Sequence, residues 1–261
     1  MPKKQAHNMV LRRLGQSLRE QDWFAAGIEF FIVIVGVFLG LQAANWNEER
    51  LAREDERAII ERLHEETGNL LEAVRAEGAG LQSHADDLVS AQPMLFSAEP
   101  ERALTQDECL AILSSHVYRK PLDELPILDE LLSTGRFDRL QNSDLKQLLR
   151  AYIQFRDRER GTHEERTNEL FRLYSRYPDL VRVGVTAIGN EQGASGRFEL
   201  LSANDYRWNQ SCDARAMRQS QPFLNDLFDN MARSGNVLIA NKKRETMLIQ
   251  LSERLSDLLN S

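Results

Sequence analysis

The sequence predicts a mostly α-helical protein, in which a single N-terminal transmembrane helix continues into a long stalk helix and an antiparallel helical bundle. Three observations predict this class: an apolar stretch with a Trp at each end, apolar residues every three or four positions elsewhere, and few β-branched runs outside the apolar stretch. We divide the chain into four segments: a basic tail (1–22), a transmembrane helix (23–46), a stalk helix that packs on the bundle (47–92) and the bundle (93–261).

The apolar stretch runs from Trp23 to Trp46 and carries one charged side chain, Glu29. A helix needs about 20 mostly apolar residues to cross a bilayer, Trp favours the headgroup layers, and a single segment can satisfy its backbone in lipid only as a helix. We therefore expect it to span the lipid bilayer, with Glu29 near enough to the Trp23 end to reach the headgroups. A cleaved signal peptide is the alternative, but no small-x-small pair closes the stretch.

Gly36 and Gly40 stand four positions apart in the apolar stretch. This spacing places both glycines on one helix face and lets two helices approach closely, which predicts a homo-oligomer formed through the anchor. Glycine is also common in transmembrane helices that stay single, so both interpretations remain open.

The basic residues near the apolar stretch favour one orientation by a small margin. Under the positive-inside rule, Lys and Arg near the ends of a span set its orientation, and acidic residues contribute little. We therefore expect a cytoplasmic N-terminus and an outer C-terminal domain. The basic residues before the stretch are Lys3, Lys4, Arg12, Arg13 and Arg19, and those soon after it are Arg50, Arg53, Arg57 and Arg62.

The segment after the apolar stretch continues the helical pattern, and we expect one unbroken helix to about Ala91, ending before Pro93. Its apolar stripe is either the seam of a coiled coil or the face that packs on its own domain. We favour the second interpretation because Gly78 and Gly80 weaken a continuous coil. The stripe consists of Ile60, Leu63, Thr67, Leu70, Val74, Leu81 and Leu88.

Local signals place three helices in the first half of the bundle. Thr105 to Glu108 has the form of a capping box and starts a helix toward Val117. Pro126 to Gly135 reads as a short helix with Pro at its start and Gly past its end. Ser143 is the predicted cap of a longer helix that extends to Tyr177, just before Pro178.

The second half of the bundle begins with a different pattern over residues 181–202. Alternating valines, a glycine-rich turn and Arg197 to Leu201 as a returning strand fit a small hairpin, and a mobile loop fits as well. Two helices should follow, Pro222 to Ser234 and Val237 to Leu259. The second helix carries a stripe suited to pack on the stalk, formed by Leu248, Leu251, Leu255 and Leu258.

The two cysteines, Cys109 and Cys212, lie far apart in the outer domain, and neither belongs to a CxxC pair. In an oxidising compartment they are candidates for a disulfide. Closing a loop of about 100 residues would stabilise the fold by about 4–5 kcal/mol in the chain-entropy model. Two unpaired buried thiols that pack as small apolar groups are the alternative.

Two segments resemble a known family. The segment Ile28–Glu49 contains Leu41-Gln-Ala-Ala-Asn-Trp-Asn-Glu48, and Asp129–Asn142 reads Asp-Glu-Leu-Leu-Ser-Thr-Gly-Arg-Phe-Asp-Arg-Leu-Gln-Asn, with Leu145, Leu148 and Tyr152 after it. Both are similar to recurrent stretches of a family of uncharacterised bacterial single-pass membrane proteins, whose anchor ends in Gln-x-x-Asn-Trp-Asn-Glu. The resemblance implies a membrane anchor, a mostly helical soluble part and no known activity, so it supplies no catalytic residues. We expect the anchor to lie in the bacterial inner membrane.

Composition and motifs exclude several function classes. A net charge of −7 and a pI near 5.4 argue against nucleic acid as a partner, because its phosphates are bound mainly by Lys and Arg. The five histidines are scattered, and the sequence has no zinc-protease helix, nucleophile elbow, P-loop or dinucleotide fingerprint. We therefore expect no enzyme, no cofactor and no metal site.

Two functions remain. One is an interaction or scaffold protein of the cell envelope with an unknown envelope protein as partner, and it predicts a solid bundle with no sizeable pocket. The other is a ligand-sensing bundle that signals through a partner protein, with a candidate ligand patch at Tyr206, Arg207 and Trp208. We favour the scaffold because the 22 residues before the apolar stretch are too few for a signalling domain.

Overall fold

The computed structural model describes residues 23–97, 100–187 and 206–260, with no account of the side chains of residues 23–26, 186–187 and 206–208. The chain divides into two compact units, Met1–Ala58 and Ile59–Ser261. Helix α1, Trp23–Phe96, begins in the first unit and ends in the second. The described residues are mostly helical, which confirms the predicted fold class.

In the first unit, the described part of α1 contains one apolar window with a mean hydropathy of 2.1. None of that window is buried. By length and composition, this helix is able to cross a membrane.

The second unit contains the last part of α1, six further α-helices, one 3-10 helix and one antiparallel β-hairpin among its described residues. After α1 the elements are α2 Gln106–Ser114, α3 Pro126–Ser133, the 3-10 helix Arg136–Arg139, α4 Ser143–Asn168, α5 Leu173–Arg176, β1 Val181–Ala187, β2 Tyr206–Cys212, α6 Ala214–Gln219 and α7 Gln221–Asn260.

Two of the predicted helix boundaries are confirmed. At the start of α2, Thr105 Oγ1 accepts from the Glu108 amide at 3.1 Å, and Glu108 Oε2 accepts from the Thr105 amide at 2.8 Å, which completes the capping box. Helix α3 has Pro126 at its first position, and Gly135 follows it with φ of 69°. That left-handed conformation suits glycine, which has no Cβ to clash.

Other boundaries differ from the prediction. Helix α1 continues through Pro93 to Phe96, because the turn after the proline buries Met94 and Leu95. Asn142, not Ser143, caps α4, and its Oδ1 accepts from the Leu145 amide at 2.9 Å. Asn is at least as good a cap as Ser, so sequence preference alone did not distinguish the two positions.

Helix α4 ends at Asn168 and does not reach Tyr177, as we had predicted. Side chains of α7 bind backbone carbonyls released by this break: Arg233 donates to the Glu169 carbonyl at 2.8 Å and Asn230 to the Phe171 carbonyl at 2.9 Å. These tertiary hydrogen bonds compensate for the helical bonds that are lost.

Helix α7 is a single helix of 40 residues, and the predicted break after Ser234 is wrong. Gly235 in its middle has open space around it. Because Asn230 and Ala240 on either side are buried, packing holds both halves of the helix in one line.

The hairpin forms, but with a different second strand. Strand β1 pairs with β2 from Val181 opposite Cys212 to Ala187 opposite Tyr206. The segment Arg197 to Leu201, which we had predicted as the second strand, lies outside the described residues.

Two hydrophobic cores form along α1 and α7, which run antiparallel, with Arg75 bonded to Glu245 at 2.8 Å and Gln82 to Lys242 at 2.9 Å. The α1 stripe packs inside its own domain, as we had favoured. The first core joins α1, α3, α4 and the end of α7 through residues such as Leu63, Val74, Leu131, Tyr152, Leu248, Leu251 and Leu255. The second joins α1, α2, α5, α6, the hairpin and the start of α7 through residues such as Leu88, Leu95, Ile112, Leu173, Met217, Phe223 and Leu227.

Candidate functional site

Between the two hydrophobic cores, α1, α7 and the two residues that follow α2 contribute polar side chains to the interior. We call this set the polar layer. Five of its members are at most 9 % exposed, which is rare for such residue types unless they are hydrogen-bonded. The polar layer consists of Glu77, Ser115, His116, Asn230, Asn241 and Arg244, of which Glu77 is partly buried.

Asn241 joins the two long helices at the centre of the polar layer. Its Nδ2 donates to the Val74 carbonyl at 3.3 Å and to Glu77 Oε2 at 3.2 Å. A Cβ on Gly78 would lie 2.6 Å from Asn241 Oδ1, a distance that real Cβ atoms essentially never show. Gly78, which we had regarded only as a helix-weakening residue, therefore allows Asn241 to approach α1.

Glu77 is the acidic residue of the polar layer. Burial raises the pKa of its carboxyl above the usual range, while the charge of Arg244 and the hydrogen bond from Asn241 oppose this shift. The carboxylate is therefore only partly stabilised in its charged form.

Asn230 and Ser115 connect α7 to the end of α2. Asn230 Nδ2 donates to Ser115 Oγ at 3.0 Å, and Ser115 Oγ donates to the Ile112 carbonyl at 2.7 Å. Ser234 Oγ donates to the Ser115 carbonyl at 3.1 Å. These bonds satisfy polar groups that would otherwise be costly to bury.

His116 and Tyr118 lie next to this network. Burial lowers the pKa of His116, whose ring is 5.8 Å from that of Tyr174. Burial also raises the pKa of Tyr118 to about 12. Burial thus favours the neutral form of both side chains.

Several buried polar atoms of this region lack a hydrogen-bond partner among the residues that the structure describes. They are Arg244 Nε, Asn230 Oδ1, His116 Nδ1 and the Tyr118 hydroxyl. Buried polar atoms are normally satisfied, so the region retains unused donors and acceptors. This unused capacity distinguishes the polar layer from an ordinary structural network.

An ion-pair cluster on α4 borders the first core. Asp123, 1 % exposed, accepts from Arg160 through both oxygens at 3.0 and 2.8 Å, and its carbonyl accepts from the Tyr152 hydroxyl at 2.9 Å. Arg156 donates to Asp129 at 2.8 Å. The two buried charges of this cluster, Asp123 and Arg156, therefore each have a direct ion-pair partner.

Lys243 and Arg244 differ from those arginines. Lys243 Nζ lies 5.3 Å and the Arg244 guanidinium carbon 5.8 Å from the centre of the Phe155 ring. Arg244 is 2 % exposed, whereas Lys243 is exposed. Within the described ranges, neither forms an ion pair with a carboxylate.

Cys109 on α2 and Cys212 at the end of β2 are bonded to each other, with 2.03 Å between the sulfurs. This is the disulfide that the sequence left open against two free thiols. It joins the hairpin to α2 within the second core.

The remaining predicted site residues belong to the first unit or have side chains outside the described residues. Gly36 and Gly40 are exposed in the first unit, with no atom near their added Cβ positions. Tyr206, Arg207 and Trp208 contribute their backbone to β2, and their side chains lie outside the described residues. The candidate ligand patch therefore stays a prediction.

A groove of about 490 Å³ lies between the end of α1 and the first half of α7. Three of its apolar side chains are well exposed: Val89 at 58 %, Phe96 at 44 % and Phe228 at 67 %. Its floor has small residues, and its lining comprises Ala85, Leu88, Val89, Gln92, Phe96, Phe228, Met231, Ala232, Ser234 and Gly235.

Sequence reasoning missed the polar layer. A signal was present, because Asn230, Ser234, Asn241 and Arg244 recur at helical spacing ahead of the leucine stripe that follows them on α7. In the described part of the chain, no group of His, Cys, Asp and Glu has the geometry of a metal site.

Comparison with protein-family models, with curated proteins and with solved structures finds no match. The family resemblance of the anchor and of Asp129–Asn142 therefore stays a prediction.

Proposed function

We propose that the protein is a membrane-anchored interaction protein of the bacterial cell envelope. The groove between α1 and α7 carries this proposal, because monomeric domains seldom expose several large apolar side chains side by side. The large apolar side chains that line the groove suit the apolar face of a partner helix. The partner is an envelope protein or a second copy of this chain.

The proposed location is the inner membrane, with the N-terminus in the cytoplasm and the second unit in the periplasm. The exposed apolar window in α1 supports the anchor. The small excess of basic residues before it supports the orientation. The Cys109–Cys212 bond also supports it, because structural disulfides persist in the oxidising periplasm.

The test is site-specific photo-crosslinking in intact cells, with a photoreactive amino acid at position 228 of the full chain. We expect a discrete adduct, whose mass identifies a partner protein or a dimer. The matched control places the same amino acid at Gln250, an exposed polar position on the same helix. If position 228 forms no more adduct than position 250, the groove is not an interaction surface and the proposal fails.

A ligand-sensing bundle that signals through a partner is the second candidate. The unpartnered polar atoms of the polar layer favour it, since buried donors and acceptors with free capacity suit a small polar ligand.

A further inference from the structure

We propose that Lys243 and Arg244, beside the ring of Phe155, bind a small oxyanion, the carboxylate or phosphate group of a solute. This inference goes beyond the proposed interaction function, because a scaffold requires no small ligand. It rests on the charges around Phe155 in the second unit.

Two arginines of α4, the helix that carries Phe155, already have carboxylate partners. Arg160 has Asp123 as a bidentate partner, and Arg156 has Asp129 and also Asp157, the latter at 3.3 Å. These carboxylates therefore already form ion pairs with arginines other than Arg244.

The positive charge of Arg244 lowers the pKa of Glu77, but the Glu77 carboxylate accepts a hydrogen bond from the Asn241 amide instead. It forms no direct ion pair with Arg244. Lys243 adds a second positive charge at the same aromatic ring. Neither of the two cations beside Phe155 has a carboxylate partner in the described chain, and this arrangement favours an additional anion.

Arg244 is the most unusual member of this site. Its side chain is 98 % buried, yet its Nε has no hydrogen-bond partner in the described chain. Arg254 also has an unpartnered Nε, but its terminal nitrogen pairs with Asp144 at 3.0 Å. Burying a charge without an ion-pair partner is unfavourable, so a counter-ion would stabilise the guanidinium of Arg244.

The chemistry of the two side chains suits an oxyanion. A guanidinium presents a planar fork of donors that matches carboxylate and phosphate oxygens, and an ammonium adds a mobile point charge. Exposed Lys243 provides the first contact from solvent, and buried Arg244 provides the desolvated contact. Charge-assisted hydrogen bonds formed away from water are the strongest that side chains make.

The test measures the thermal unfolding midpoint of the full chain, purified in a nonionic detergent, against increasing sodium phosphate or sodium acetate. Sodium chloride at equal ionic strength is the reference, since general screening affects all three salts alike. We expect at least one oxyanion to raise the midpoint by about 3 °C or more in a saturable way. Which salt acts distinguishes a phosphate site from a carboxylate site. If neither exceeds chloride, the inference is wrong.

Two neighbouring lysines provide matched variants that should both fold, because both are exposed. Lys243→Gln should raise the half-saturating oxyanion concentration about tenfold, which is the loss of one charge-assisted bond. Lys242→Gln, whose lysine bonds to Gln82 at 2.9 Å, should leave it unchanged. Arg244→Gln should abolish the effect if it folds. Equal behaviour of the two lysine variants would assign the effect to another site.

Discussion

The two hydrophobic cores are built on the same two long helices, but different interactions hold them together. The first core packs α1 and α7 against α4, a helix of 26 residues, and against α3, which has eight. The second core packs them against α2, α5 and α6, which have nine, four and six residues. Helices this short are not stable alone. The second core therefore has no third long helix, and the disulfide and the capping box of α2 stabilise its short elements.

Removing the disulfide should have the largest effect and should affect the second core most. Cys109→Ala with Cys212→Ala opens a loop whose ends are 103 residues apart, and we expect a loss of about 4 kcal/mol in unfolding free energy. Hydrogen exchange in detergent should show faster exchange in α2 and the hairpin than in α4. If amide exchange becomes faster by the same factor in both cores, the disulfide does not stabilise the second core specifically.

Leu131→Ala should destabilise the first core by about 2–4 kcal/mol, because Leu131 is fully buried and its truncation leaves a cavity. Leu132, the next residue on α3, is 40 % exposed and serves as the control. Leu132→Ala should change the free energy of unfolding by less than about 1 kcal/mol. Chemical denaturation of the three proteins measures the difference, and similar losses would show that α3 does not pack as described.

Gly78→Ala should destabilise the junction between the cores by about 1–3 kcal/mol, because the added methyl group collides with Asn241. Gly80, two residues later in α1, has open space at its Cβ position. Gly80→Ala should therefore stabilise the helix by up to about 1 kcal/mol. If denaturation shows that Gly78→Ala lowers the free energy of unfolding and Gly80→Ala raises it, the close approach of Asn241 to α1 is confirmed. A stabilising effect of both substitutions would contradict it.

Acidification should destabilise the second core through protonation of Glu108, and we expect this effect to be smaller than those of the substitutions above. Bonds from Arg102, Thr105 and Ser90 lower the pKa of this carboxyl from 4.5 to about 2. A lowered carboxyl pKa contributes stability that is complete above pH 4.5 and is lost as the pH falls toward 2.

The measurement compares the unfolding midpoint of the wild type and Glu108→Gln across this pH window. We expect the variant to be less stable at neutral pH and to lose less stability on acidification. If the unfolding midpoints of the two proteins fall in parallel as the pH is lowered, groups other than Glu108 cause the acid sensitivity.

Much of the local structure was predictable because its causes lie within a few residues. The capping box of α2 involves positions three apart, and the α3 signals are Pro126 and Gly135 at its two ends. The leucine stripe of α7 likewise identified a buried face correctly. By contrast, the polar layer was not predicted, because its partners lie on different elements: 167 positions separate Asn241 from Val74.

The sequence by itself determined the apolar stretch, the helical class and the main caps, since composition, periodicity and neighbouring residues control these features. Only the tertiary structure decided that α1 passes through Pro93, that α7 continues through Gly235 and that α4 stops at Asn168. It also decided the pairing of Cys109 with Cys212 and the position of Arg244 without a carboxylate partner. The physical reason is that burial and long-range hydrogen bonds outweigh local propensities of about 1 kcal/mol or less per residue.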